Sequence, residues 1–580
     1  MNRLLDILLR WYTNRVAFHT DVSKMYNAIK LNESDWCYQR YLWDDALTPG
    51  KEPEEKVIKT LIYGVKSSGN QAERGLRQTA ELSKDEFPRV NSIINDDTFI
   101  DDVLSGEDDM VHAAQVADEM EIVLGTGGFG LKGFTFSGKD PPDKLTRDGQ
   151  SISVAGMTWF SKDDLISIDI AELNFSKKVR GKKPTSSGKI PEKLTRRQCL
   201  SKVSEIFDIS GKLTPITAAM KLDLHHFVQL QLGWDDAIPD NLRSVWETHF
   251  QMMEEIKHVK YSRCVIPEDA ADAKISTLDF GDASKSIAAV AIYARVLRKC
   301  GKYSTQLIFA RSKLIDVTTQ PRGEMEAAVL NTHTGNVVRR ALKDKHTGWT
   351  KITDSQIVLH WISNDDITLK PFTRNRVIEV QRFTNSNDWV YINTKRMMAD
   401  IGTRKGAKLE DVNAESKWIN GEDWMQEEIL PTKKVCEIIL TNSELIESRK
   451  ESNSHASTEV FCNFTSTSHM EELKKRYSFS KYLLDPNKFR FRKVVRIIAI
   501  VIKYVRLLEY LVRTKKTEAT RRVISNNASN VRPNIILTDD EISTAEKYFW
   551  RKGTAEVRHF LKNEKYKRIS KDINGVLTYT

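Results

Sequence analysis

Two sets of acidic side chains have the types and spacing to do chemistry. In the first, Asp101 and Asp102 stand side by side in Phe99-Ile100-Asp101-Asp102-Val103-Leu104, between residues that favour strands. A hairpin there aims the first acid into a cleft and the second elsewhere, at an electrostatic cost that a divalent cation offsets. Upstream, Asp21 closes the apolar stretch Ala17-Phe18-His19-Thr20, and Tyr26 follows it by five positions. The second set runs in the order Asp282, Glu324, Asp354, Asp400. Four carboxylates drawn together from separate elements repel one another unless metal is bound, which makes a two-metal hydrolytic site the economical reading. Taken singly, each acid reads as a turn residue, a helix cap or a surface charge.

The elements that must position these acids show as changes of texture along the chain. Up to about residue 165, short apolar runs alternate with turn residues and with helical patterns at 71–85 and 109–124, a mixed α/β layout. Residues 195–260 are mainly helical in pattern. Strands are then expected at 276–283 and 287–297, which puts Asp282 near the end of the first. A helix at 324–342 starts with Glu324, and a short buried piece at 357–362 follows the strand that Asp354 ends. Beyond Arg404 the chain turns polar, and 442–472 is rich in Ser, Thr, Asn and Glu, which is linker composition. The apolar run at 494–512 is cut by Arg496, Lys503, Arg506 and Glu509, so it predicts an amphipathic helix and no membrane span.

Composition bounds the function classes. A chain of 580 residues has room for about four domains. With 40% hydrophobic and 29% charged residues and 15 prolines, collagen-like, wholly disordered and disulfide-stapled chains are excluded. Lys and Arg exceed Asp and Glu by 89 to 79, a net charge of +10, and the excess is concentrated. Nine basic residues face one acid between Ser176 and Gln198, and 488–522 is a second basic stretch threaded with aromatic and aliphatic residues. Such clusters suit a polyphosphate partner through counterion release, with a solvated loop and helix face as the plain alternative. The six cysteines form no Cys-x-x-Cys pair and have no histidine at zinc-ligand spacing, which predicts reduced thiols, no zinc and an intracellular protein. Charges interrupt the apolar residues of the first ten positions, so no secretory signal is expected, and the place of action would be a cytoplasmic particle or the nucleus.

The motifs around the first acidic set resemble a known family. Ala17-Phe18-His19-Thr20-Asp21-Val22-Ser23-Lys24-Met25-Tyr26 and the Asp101-Asp102 motif are similar to the first and third palm motifs of reverse transcriptases, in particular those of BEL/Pao long-terminal-repeat retrotransposons. Leu61-Ile62-Tyr63-Gly64-Val65-Lys66-Ser67-Ser68-Gly69 resembles the group's Phe-Gly-Val-x-Ser-Ser-Pro contact loop for template and nucleotide, with Tyr63 and Gly69 departing from its Phe and Pro. Gly127-Gly128-Phe129-Gly130-Leu131-Lys132-Gly133-Phe134 resembles the next motif, and Val154-Ala155-Gly156-Met157-Thr158-Trp159 the primer-grip hairpin. Ile206-Phe207-Asp208-Ile209-Ser210-Gly211-Lys212-Leu213-Thr214-Pro215 and Leu232-Gly233-Trp234-Asp235-Asp236 are similar to the thumb and connection. The resemblance implies that Asp21 and Asp101 hold two Mg²⁺ ions, or Mn²⁺ in their place, and that Asp102 completes the site. It implies that Tyr26, Tyr63 and Gly64 meet the incoming nucleotide, with the Tyr26 ring blocking a ribose 2′-OH. RNA template, DNA primer and deoxynucleoside triphosphates are the implied partners.

The second set lies in a stretch that resembles the ribonuclease H of the same group, including Asp354-Ser355-Gln356-Ile357-Val358-Leu359-His360-Trp361-Ile362. That resemblance implies that Asp282, Glu324, Asp354 and Asp400 hold two further Mg²⁺ ions and that the RNA strand of an RNA–DNA hybrid is cut. Glu324 follows Pro321-Arg322-Gly323 and fits the family position better than Glu326, and Met397-Met398 stand where the family has Asn-Pro. Trp418-Ile419-Asn420-Gly421-Glu422-Asp423-Trp424 resembles a segment that follows ribonuclease H, and 489–511 and 537–546 look like the helical lead-in to an integrase, with Thr538 and Glu541 spaced as a capping box. No integrase site is expected, and no aspartic protease, because Asp208-Ile209-Ser210-Gly211 has one residue too many for that motif.

The fold class expected is a multidomain α+β / α/β chain, a partial right-hand polymerase palm and thumb followed by a ribonuclease H-like domain and a helical C-terminal region. The expected divisions are 1–165, partial reverse transcriptase with a fingers remnant and palm; 166–270, thumb and connection; 271–410, ribonuclease H-like; 411–530, polar linker and basic amphipathic helix; and 531–580, a truncated lead-in to an integrase. The expected function is RNA-directed DNA polymerisation with ribonuclease H activity in retrotransposon replication. The competing class is a degenerate, non-catalytic nucleic-acid-binding remnant of such an element. Other parts of the polyprotein or a second copy are the further partners expected, and no membrane.

Overall fold

Alternation of Phe18, Thr20 and Val22 with His19 and Asp21 gives strand β1 (Val16–Ser23), which helix α1 (Leu4–Trp11) precedes and the single turn α2 (Met25–Ala28) follows. The computed structural model describes residues 2–44, 52–138, 151–175, 189–363 and 369–434, together with the short strands Ile569–Lys571 and Leu577–Tyr579, which pair antiparallel. After α2 an exposed hairpin, β2 (Arg40–Trp43) and β3 (Glu54–Val57), leads to α3 (Ser68–Leu82) and α4 (Pro88–Asp96). β4 (Thr98–Phe99), β5 (Asp102–Glu107), α5 (Met110–Thr126) and β6 (Gly130–Phe136) complete this part. The sheet runs β4-β5-β1-β6, antiparallel throughout. One of its faces, with Phe18, Val22, Val103, Phe134 and Phe136, buries against Leu76 of α3, Ile93 and Ile94 of α4, and Ala117 and Met120 of α5. Truncating a core ring such as Phe18, edge-on to Phe134 at 5.7 Å, costs about 3–5 kcal/mol.

A second antiparallel sheet runs β10-β9-β8-β7, built from β7 (Ile152–Val154), β8 (Met157–Phe160), β9 (Leu165–Ile168) and the late strand β10 (Tyr261–Ser262). Helices α6 (Arg196–Ser204), α7 (Thr214–Gln229) and α8 (Asp240–Ile256) lie between β9 and β10 in the chain, and a Thr195/Gln198 capping box starts the first of them. The division expected at 165 runs through β9, so the two N-terminal segments share this sheet. Arg263, whose side chain is fully buried, fastens them. It pairs bidentately with Asp164 at 2.6 and 2.7 Å and donates to the carbonyls of Trp11 and, at 2.8 Å, Asn14.

The third sheet has the order β13-β12-β11-β14-β15. β11 (Ile275–Ala283), β12 (Ile287–Leu297) and β13 (Tyr303–Leu314) form an antiparallel meander; α9 (Gln320–Leu342) then crosses to β14 (His346–Thr353), which lies parallel to β11 on its other side. Two short helices, α10 (Gln356–Ser363) and α11 (Pro371–Gln381), lead to β15 (Trp389–Tyr391), parallel to β14. β12 is buried at every position but its last, which is why Ile287-Ala288-Ala289-Val290-Ala291-Ile292 reads as one apolar run without alternation.

Residues 411–434 do not behave as the start of a linker. Trp418, in the short helix α12 (Lys417–Asn420), is buried, its indole N–H donates to the Lys212 carbonyl at 2.9 Å, and its own carbonyl accepts from the Tyr293 hydroxyl at 2.8 Å. A few large apolar anchors outweigh the polar composition around them. The 435–568 stretch, with the expected linker, basic helix and integrase lead-in, lies outside the described residues, as does most of the basic cluster, at 176–188. Among the described residues no helix is long and apolar enough to cross a membrane.

Candidate metal-binding active site

Asp282 is the next-to-last residue of β11, and Asp354 comes directly after β14. These strands are adjacent and parallel, so both acids reach the same edge of the sheet, at the point where the strand order reverses and α/β proteins open a binding crevice. Glu324 arrives from the second turn of α9. One oxygen from each of Asp282, Glu324 and Asp354 lies within 4.8 Å of the others.

Burial and mutual repulsion set the electrostatics. Burial pushes Glu324 up to about 9, the charges of Asp282 and Asp354 push the same way, and the Gln320 amide, donating to Glu324 Oε1 at 2.6 Å, opposes them. Burial likewise raises Asp282 to about 6 against the Thr403 hydroxyl, 2.6 Å from its Oδ2. Asp354 is raised by burial and lowered by a hydrogen bond from Thr394. Glu324 Oε2 is buried without a hydrogen-bond partner. An all-oxygen donor set with an unsatisfied buried lone pair fits a hard divalent cation of the Mg²⁺, Mn²⁺ or Ca²⁺ kind.

Asp400 stands at the rim. It sits in the 3₁₀ turn Met398–Gly402, near enough to raise both Asp282 and Asp354, but its carboxylate is paired with Arg404, whose Nε is 2.8 Å from Oδ2. Three of the four expected acids therefore converge and the fourth is held by its own neighbour. Glu326 is turned away, paired with Arg376 and with Lys313 at 3.4 Å. Two positions along a helix rotate a side chain by roughly 200°, so Glu324 and Glu326 cannot serve one site.

The first acidic set has a different geometry. Asp21 and Asp102 are direct partners across β1 and β5, so they share one face of the sheet, while Ile100 and Asp101 form the tight turn between β4 and β5, with Ile100 at φ 60°. The Val22 N–H donates to the Asp101 carbonyl at 2.8 Å, and a bulge opposite β6 between Thr20 and Val22 re-aims the strand at Asp21. Asp101 is raised, by burial first and then by Asp102 and Asp21. Two side chains of the protein itself meet these acids: Lys132 Nζ lies 2.6 Å from Asp21 Oδ1, and His19 Nε2 lies 3.1 Å from Asp102 Oδ1. Among the described residues the carboxylate group of the third sheet meets the spacing for a shared ion, and this set does not. Tyr26 and Tyr63 meet with ring centroids 4.6 Å apart, next to Gly64, whose φ of 91° suits glycine.

Residues 195–355 match the family model of the Pao retrotransposon-like RNaseH-like domain. That stretch carries Asp282, Glu324 and Asp354 on the strand, helix and strand end described above. Over those residues the chain is similar to the Pao retrotransposon type. A search of curated proteins finds no match. Among solved structures, a foamy viral protease–reverse transcriptase in complex with an RNA/DNA hybrid aligns over 68% of this chain and 46% of its own, with 11% identity and a TM-score of 0.40. The Pao-type match begins at 195, inside the segment expected to be thumb and connection. That part is joined to the third sheet: the Ala310 N–H of β13 donates to the Ser210 carbonyl at 2.9 Å, and a Cβ on Gly211 would lie 1.9 Å from the Ala310 carbonyl oxygen.

Three side chains that orient the Pao-type carboxylates escaped the sequence reading: Gln320, Thr394 and Thr403. Gln320 had a signal, since it lies four residues before Glu324 on the same helix face. Thr394 opens one short 3₁₀ turn and Thr403 caps another, and both are too far in sequence from Asp354 and Asp282 for spacing to reveal the contact.

Proposed function

We propose that the Pao-type domain hydrolyses the RNA strand of an RNA–DNA hybrid, with Asp282, Glu324 and Asp354 holding divalent cations, Mg²⁺ foremost, and Asp400 completing the set. The observation that supports this most is the meeting of two buried carboxylates, Asp282 and Glu324, with the half-buried Asp354 where the carboxyl ends of β11 and β14 face α9. Cations bound there would neutralise the scissile phosphate and lower the pKa of the attacking water. The chain's own part is to keep the ligands ready. Gln320 bridges Glu324 Oε1 and the Ala283 carbonyl, at 2.6 and 2.5 Å, which fixes the helix side chain to the end of β11. Thr403 does the same for Asp282 from the opposite direction. Asp354, only half-buried, is the ligand most open to substrate. Incubating the full chain with a labelled hybrid and Mg²⁺ tests the reading: Asp282→Asn should lose cleavage by orders of magnitude, and undiminished cleavage defeats it.

The first set supports a second activity, RNA-directed DNA polymerisation by nucleotidyl transfer. Asp21 and Asp101 would hold the ions once Lys132 withdraws, Asp102 would add charge, and the Tyr26–Tyr63 pair beside Gly64 would form the wall that a deoxyribose fits and a ribose does not. The first and second sheets would then act as palm and thumb, taking an RNA template, a DNA primer and deoxynucleoside triphosphates. The arrangement of Asp21 opposite Asp102, with Asp101 at the intervening turn, favours this reading. Primer extension on an RNA template is its assay, and equal extension by wild type and Asp101→Asn would end it.

A further inference from the structure

Four acids at one edge of a sheet present a negative mouth to a nucleic-acid backbone, which is itself an anion at every phosphate. A basic side chain at that mouth is therefore worth locating. Arg322, two residues before Glu324, is engaged elsewhere: its guanidinium lies over the Phe372 ring, 4.8 Å from the centroid, and donates to Thr318 Oγ1 at 3.0 Å. Arg404 is placed differently. Its side chain is 60% exposed, it follows Thr403, which touches Asp282, and its guanidinium grips the Asp400 carboxylate through both Nε and a terminal nitrogen. A guanidinium fork that holds a carboxylate with two nitrogens has the geometry to hold a phosphate in the same way, and it cannot give the same two N–H groups to both.

We propose that Arg404 is a substrate-binding residue: its fork exchanges the Asp400 carboxylate for a backbone phosphate of the hybrid, and the freed Asp400 turns to join Asp282, Glu324 and Asp354. The proposal rests on the nuclease reading above and adds to it the residue that couples substrate arrival to completion of the carboxylate set. It accounts for three acids converging in the free chain while the fourth waits one turn from its partner. Thr403, fixed to Asp282, holds the base of the Arg404 side chain still, so the exchange needs side-chain rotation and no movement of the backbone.

The test separates the two readings. Binding of a fluorescein-labelled RNA–DNA hybrid to the full chain in EDTA, read by anisotropy, needs no turnover. Arg404→Gln should weaken it roughly ten-fold, as loss of one charge-assisted contact does, and should lower the slope of log K against log salt by about one. Arg404→Lys should keep the slope and recover only part of the affinity, because a point charge replaces a fork. Mg²⁺ titrated calorimetrically without nucleic acid should bind Arg404→Gln at least as tightly as wild type, since Asp400 is released. Unchanged hybrid affinity and salt slope in Arg404→Gln, or weaker Mg²⁺ binding, would make Arg404 a mere support for Asp400 and overturn the proposal. Cleavage that survives Asp282→Asn strikes the parent reading instead.

Discussion

Replacing Glu324 by Gln should make the metal-free chain more stable at neutral and alkaline pH, and the size of the gain follows from the site. Glu324 titrates near 4.5 when exposed and is pushed up to about 9 in the fold. Between those values the folded chain keeps a proton that the unfolded chain has lost, so this group's contribution is greatest below about 4.5 and falls as the pH rises toward 9. Each pH unit in that window costs about 1.4 kcal/mol, or about 4 kcal/mol between pH 5 and pH 8. Gln at 324 cannot ionise and still accepts from Gln320. Wild type and Glu324→Gln should therefore melt close together at pH 5 and separate by a few degrees at pH 8, the variant higher. Millimolar Mg²⁺ at pH 8 should raise the wild-type melting temperature and leave the variant nearly unmoved, because cation binding displaces a proton in one chain and lacks a ligand in the other. Parallel melting curves from pH 5 to pH 8, with equal responses to Mg²⁺, would refute the placement of Glu324 in the carboxylate group.

Glu326→Gln should leave hybrid cleavage within about two-fold of wild type while Glu324→Gln abolishes it, since Glu326 serves Arg376 and Lys313, and its loss removes only partly exposed ion pairs. Lys351→Met should destabilise the chain by about 3–5 kcal/mol in denaturant melts; it strands Asp279, whose carboxylate lies 2.6 Å from Lys351 Nζ with both side chains fully buried. Adding Asp279→Leu to that variant should recover most of the loss, because no lone charge then remains inside. Lys132→Met should increase divalent-cation affinity at the first acidic set, measured with Mn²⁺ by spin resonance in an Asp282→Asn background, by removing the ammonium that competes for Asp21.

The sequence was readable where residue type and period agree. Strands expected at 276–283 and 287–297 are β11 and β12 almost to the residue, because an apolar run ending in an acid and a hairpin has few other outcomes. The choice of Glu324 over Glu326 had support in helix phase: Glu324, Ala327, Ala328 and Asn331 form the buried stripe of α9, and Glu326 lies off it. Less visible was anything set by side-chain pairing across distance. That Asp21 would be claimed by Lys132 depends on rotamers that spacing does not encode, whereas the Asp400–Arg404 pair is only four residues apart and its spacing was a signal left unused. The packed role of 411–434 was hidden because burial there rests on Trp418, Ile419 and Met425 amid polar neighbours, and average composition reports the neighbours.

The two acidic sets solve one electrostatic problem in opposite ways. At the edge of the third sheet, burial and proton uptake hold three carboxylates together without a protein cation among them, so the free site is costly and a divalent ion relieves it. At the first sheet, the Lys132 ammonium already pairs with Asp21 and the His19 ring contacts Asp102, so an ion must displace an existing partner. The first arrangement favours standing occupancy by metal. The second favours entry together with a ligand that can draw Lys132 away, and a triphosphate carries the charge to do so. On this reasoning Mg²⁺ alone should stabilise the chain through Asp282, Glu324 and Asp354, and a nucleotide should be needed before Asp21 and Asp101 take up metal. An Asp282→Asn chain that binds Mg²⁺ tightly without nucleotide would contradict it.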